Sequence, residues 1–109
     1  MIEQTNKELL KFAAKAAQYN VKPRTNECEH VGLYFTLNGK NWNPLADDGD
    51  ALRLAVDLYI EVAPACYSKD SVQVYMKDDN CITEMYDGDK YAATRKAIVR
   101  AAAHLGGIK

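Results

Sequence analysis

Few side chains here stand at spacings that chemistry requires. Cys28 and His30 are two residues apart, so a strand would carry both on one face and could pair a thiol with a base. Cys66 and Cys81 could complete four metal ligands, but there is no C-x-x-C pair and the spacing is not that of a zinc finger. Asp47-Asp48-Gly49-Asp50 is acidic enough to suggest a cation site. Aligned on Gly49, the calcium-loop pattern puts Pro44 and Ala46 in its first two ligand positions and Ala55 in its last. Aligned on Gly88, it puts Thr83 and Met85 in the first two, so helix capping explains the aspartates better. The chain has no nucleophile elbow, P-loop, G-x-G-x-x-G or H-E-x-x-H. The expectation is a non-enzymatic protein with no metal and no cofactor. A small enzyme using Cys28 or His30 is the alternative.

Binding residues are easier to nominate. Lys96, Arg100 and His104 are spaced by four and line up on one helix face. Such a face could meet phosphates or an acidic protein, or could simply complement the helix dipole from solvent. Seven tyrosines are many for this length. Tyr34 and Tyr75 fall on the nominally polar faces of their strands, and Tyr67 and Tyr86 lie near turns. Either they are exposed for a partner or a second layer covers them as core.

These residues need a scaffold. A chain of 109 residues fits one domain, and a hydrophobic fraction of 48% suits a globular core. A net charge of −1 supplies no global field toward nucleic acid or membrane. No apolar run is long enough to span a bilayer, and Met1 to Lys7 shows no signal pattern, so the expected location is the cytoplasm. Three cysteines without such a signal argue for free thiols.

Thr5-Asn6-Lys7-Glu8 reads as a capping box for a helix to about Tyr19, with Asn20 as its stop. Val21 to Glu29 is polar, contains Pro23 and reads as a loop. His30 to Leu37 alternates as a strand, Asn38-Gly39 is a hairpin turn, and Lys40 to Asn43 reads as a short returning strand that delivers Trp42 to the core. A helix from about Asp48 to Tyr59 is apolar nearly all round, which predicts cover on more than one side, with Arg53 and Asp57 paired on its polar strip. Ile60 to Ala63 reads as a strand, and Ser71 to Lys77 with Cys81 to Tyr86 as an antiparallel hairpin. Asp89 caps a final helix from about Lys90 to Leu105, with Tyr91, Thr94, Ile98, Ala101, Ala102 and Leu105 as its buried stripe. The prediction is a single α+β domain, an α-β-α sandwich with a largely antiparallel sheet and three helices, in the order α-β-β-α-β-β-β-α.

The stretch that organises the chain is the turn entering the middle helix. Trp42 and Leu45 anchor it, Pro44 fixes its backbone, and Asp47 or Asp48 caps the helix with Asp50 in its first turn. Trp42, Pro44, Asp47, Asp48 and Asp50 therefore read as architecture. This stretch, to Val56, and the stretch Tyr91 to Ala103 resemble the phage α-β-α sandwich domain family of small phage and prophage proteins. The resemblance spans most of the chain, although Lys90 stands where members often carry proline. It implies a three-layer sandwich and a phage origin, and no activity, cofactor or catalytic residue. With it, the chain reads as a phage accessory protein in the host cytoplasm that binds a host protein or complex. The sharp form is inhibition of a host defence system, including an anti-CRISPR role. Nucleic-acid binding through Lys96, Arg100 and His104 is the alternative, and the oligomeric state is left open.

Overall fold

The longest helix, α3 (Lys90–Leu105), packs against the two other helices and against one of the two sheets. It is rich in alanine, so neighbours can approach its backbone closely. Ala97, Val99, Ala101, Ala102 and Ala103 are all buried. The computed structural model describes residues 5–28, 33–65 and 68–108. Around α3 lie α1 (Asn6–Ala17), α2 (Asp48–Asp57) and six strands: β1 (Lys22–Cys28), β2 (Leu33–Leu37), β3 (Lys40–Trp42), β4 (Glu61–Pro64), β5 (Ser71–Tyr75) and β6 (Cys81–Met85). The strands form two antiparallel three-stranded sheets, ordered β1-β2-β3 and β4-β5-β6. The fold is α+β with three helices, in the expected succession but with one more strand.

That strand corrects the loop reading of residues 21–29. Lys22–Cys28 pairs with β2 through an irregular register. Pro23 is tolerated because β1 is an edge strand, where a missing N–H costs no ladder bond. The hairpin that follows is as expected: Asn38 and Gly39 both have positive φ, at 54° and 81°, and Leu37 pairs with Lys40. Thr5 and Glu8 complete the capping box of α1. The helix ends earlier than expected, with Gln18 in the left-handed conformation. Asp89 caps α3 by accepting the N–H groups of Tyr91 and Ala92 at 3.1 and 3.0 Å.

One core runs through Leu10, Phe35, Trp42, Leu54, Val74 and Val99. Trp42 meets the Tyr19 ring edge-on, with centroids 5.9 Å apart. Across β4, β5 and β6, Val62, Val74 and Ile82 are register partners on the face toward α3. The end of α3 is locked by proximity: a Cβ at Gly106 would lie 2.0 Å from the carbonyl oxygen of Phe12 in α1.

Two helix expectations need correction. α2 packs on α3, but its other side is open, with Leu52 and Val56 exposed. Tyr91, expected in the buried stripe of α3, is also exposed, on the wall of an open groove that it shares with Leu52. Among the described residues, no helix is long and apolar enough to cross a membrane.

Candidate functional site

The turn before α2 is held from within and from across the fold. The Asn43 carbonyl accepts the N–H groups of Ala46 and Asp47, and its side-chain oxygen accepts the Leu45 N–H at 3.0 Å. Asp47 is the N-cap and accepts the Asp50 N–H at 2.7 Å. Asp50 reaches back to accept the Asn43 N–H at 2.9 Å. Pro44 and Trp42 are buried beneath the turn. Arg95 of α3 clamps it: its Nε–H donates to the Leu45 carbonyl at 2.9 Å and its Nη1 donates to Asp48 at 2.7 Å. The two stretches named in the sequence thus meet physically through Arg95. Sequence reasoning missed this residue, because nothing local announces a contact 47 to 50 positions away. Arg53 pairs with Asp50, not with the expected Asp57, because Asp57 accepts the hydroxyl of Tyr19. Burial, and then that hydrogen bond, push the Tyr19 hydroxyl well above the ordinary tyrosine range.

The basic face of α3 is exposed as expected, but two of its three members are engaged. Arg100 pairs with Glu84 of β6. The His104 Nε2 lies 3.2 Å from Asp78 and 3.3 Å from Asn80, both in the turn between β5 and β6. Hydrogen bonds from the Asn80 side chain and backbone, with His104 beside them, hold the Asp78 carboxyl below the usual carboxylate range. Lys96 is exposed and stands apart from these pairs. Tyr34 is core, at 6% exposure. Tyr75 is half-buried and donates its hydroxyl to Gln73 at 2.6 Å. The five nominated partner-binding residues do not form one surface.

A different surface does. An open groove of about 620 Å³ lies between α2, β4 and α3. Ala51, Val62 and Ile98 line its buried or half-buried side, and Leu52, Tyr91 and Pro64 its exposed side. Lys69 and Lys90 also line it, with Asp48, which Arg95 neutralises. Leu52 is 64% exposed and Tyr91 64%. Val56, one turn on from Leu52 in α2, is 63% exposed, and Tyr59, which follows the helix with a φ of 56°, is 73% exposed. The sequence carries this face as part of a helix apolar nearly all round, a pattern that predicts cover on more than one side.

Little else is arranged for chemistry. Cys81 is a free, exposed thiol. Among the described residues, no three His, Cys, Asp or Glu side chains converge on a metal-sized site. The Cys28 side chain, His30, Cys66 and Tyr67 fall outside the described residues. A second groove, of about 680 Å³ beside the Trp42 turn, is lined by Asn41, Asn43, Asp47 and Asp50, polar groups that the turn or its neighbours already use. Comparison of the chain with protein-family models, with curated proteins and with solved structures finds no match.

Proposed function

We propose that this protein is a non-enzymatic phage or prophage accessory protein that binds a host protein through the apolar face of α2 and the groove beside it. The observation that carries the reading is the large apolar side chains left in solvent here: Leu52 and Val56, one turn apart on α2, and Tyr91, which shares the groove with Leu52. An extended exposed apolar patch with a charged rim is the usual mark of a protein-contact surface. The phage context rests on the resemblance of residues 42–56 and 91–103 to the phage sandwich family. Its sharp form is a role in the host cytoplasm as an inhibitor of a defence complex. The basic face of α3 supports nucleic-acid binding less well, since Arg100 and His104 each already face a carboxylate of this chain, Glu84 and Asp78.

The test is an affinity capture of the tagged protein from nuclease-treated host lysate, at low and moderate salt, read by mass spectrometry. The expected result is one enriched host complex that survives both nuclease and salt and is kept by Lys96→Glu. Enrichment lost on nuclease treatment or with Lys96→Glu would contradict the reading and favour nucleic acid.

A further inference from the structure

A strand at the edge of a sheet leaves one row of backbone N–H and C=O groups without a ladder partner, and proteins guard such edges with proline, lysine, irregular pairing or shortness. Among the described residues the two sheets have four edges, and three of them are guarded. β1 carries Lys22, Pro23 and Arg24 and pairs irregularly, β3 has three residues, and β4 ends in Pro64. β6 carries none of these devices. Its five residues, Cys81-Ile82-Thr83-Glu84-Met85, pair with β5 in unbroken register. Its one charged residue, Glu84, is met by Arg100 of α3.

The ladder decides which groups face outward. The Met76 N–H donates to the Asn80 carbonyl and the Tyr86 N–H to the Asp70 carbonyl, both at 2.8 Å. In an antiparallel pair such bonds recur at every second residue, so Ile82 and Glu84 also direct their backbone groups to β5. The N–H and C=O groups of Cys81, Thr83 and Met85 therefore turn to the open edge. Among the described residues no strand meets them. Their side chains are exposed on the face opposite Ile82, Met85 at 61%.

Both ends of this edge are acidic. Asp79 lies just before Cys81 and Asp87 just after Met85, and both are exposed. The charged groups near them in the chain are engaged elsewhere: Lys77 lies over the Tyr59 ring, Lys90 over the Tyr91 ring, His104 faces Asp78, and Asp89 caps α3. Among the described residues no cation pairs with Asp79 or Asp87. A second copy laid antiparallel on this edge, Thr83 opposite Thr83, would set Asp79 against Asp87 at both ends, carboxylate on carboxylate. Backbone complementarity calls for an extended strand, and the charges call for a foreign one.

We propose that the open edge of β6 takes an extended segment of a partner protein as a fourth strand of this sheet. The segment is uncharged where it lies along Cys81 to Met85 and carries lysine or arginine at its ends, opposite Asp79 and Asp87. Main-chain hydrogen bonds dock it and the two aspartates select it. This edge is separate from the apolar face of α2, and neither reading depends on the other.

The probe is a synthetic peptide with blocked ends, Lys-Thr-Val-Thr-Val-Thr-Lys, titrated into the isotope-labelled full chain and followed by amide NMR. The expected result is a Kd below about 1 mM, with the Cys81, Thr83 and Met85 amides shifted and protected from exchange. Glutamate in place of both lysines, or N-methylation of the central amides, should weaken binding at least about tenfold. Thr83→Pro should do the same, because it removes an outward N–H without costing a ladder bond. Asp79→Asn with Asp87→Asn should weaken binding about threefold, and asparagine suits the positive φ of both positions. Should Thr83→Pro fail to fold, the methylated peptide and the asparagine pair decide. No shift in the β6 amides, equal binding of the glutamate peptide, or indifference to Thr83→Pro would overturn the proposal. So would protection of the same amides in the chain alone as its concentration rises, which would make the occupant a second copy.

Discussion

The two sides of α2 both carry large apolar side chains, with opposite fates. Toward α3, Ala51, Leu54 and Ala55 are buried, and the turn that launches the helix is pinned by Arg95. Away from α3, Leu52, Val56 and Tyr59 are just as apolar and lie in water. The difference teaches that hydrophobicity alone does not say what covers a residue. The inner side is paired with specific polar anchors: a capping aspartate, an Asx turn and a guanidinium on a carbonyl. On the outer side the described polar contacts are those of Arg53 with Asp50 and of Asp57 with Tyr19, and neither covers Leu52 or Val56.

The comparison breaks most visibly at the inner side. Trp42→Ala removes a buried ring and its edge contact with Tyr19, and should cost about 3–5 kcal/mol of unfolding free energy in urea titration. A loss below about 1 kcal/mol would show that the turn is not seated in the core. Arg95→Ala should cost about 1–3 kcal/mol by leaving the Leu45 carbonyl short of its donor. Arg95→Lys should recover only part of this, because an ammonium cannot serve the carbonyl and Asp48 with the geometry of a planar fork. A double-mutant cycle with Asp48→Ala separates the two contacts: most of the loss should persist without Asp48, which is exposed.

A pH series sharpens the boundary between the two sides, where Tyr19 ties the end of α1 to Asp57 of α2. The folded chain keeps the Tyr19 proton above pH 10, while the unfolded chain releases it near its ordinary value of about 10. The unfolded state therefore binds fewer protons there, and the stability that Tyr19 contributes is complete below pH 10 and declines as pH rises beyond it. Urea midpoints from pH 8 to 11 should fall less steeply for Tyr19→Phe than for the wild type. Parallel alkaline limbs would place the hydroxyl in solvent.

Much of the frame was legible because local chemistry announces it. The capping box at Thr5, the Asn38-Gly39 turn, Asp47 and Asp89 as caps and the hairpin around Asp78 to Asn80 are all short-range devices. The β1 strand was hidden by its polar sequence and Pro23, which an edge position excuses. The tyrosines on the polar strand faces could not be sorted without knowing what covers each sheet: Tyr34 is core, while Tyr75 is bonded to Gln73. The exposed face was illegible for a related reason. A helix apolar nearly all round looks alike whether or not a second element of the chain covers it, and only the exposure of Leu52 and Val56 separates the two. Arg95 was equally silent, since its partners lie in another element.

The most direct test of the division is Val56→Lys, carried through the host-lysate capture beside the wild type. Lysine in the last turn of α2 suits the helix end and should leave the urea midpoint within about 0.5 kcal/mol of wild type. The account predicts an unchanged midpoint together with loss of the captured host component. A destabilisation of several kcal/mol, or undiminished capture by the folded variant, would contradict it.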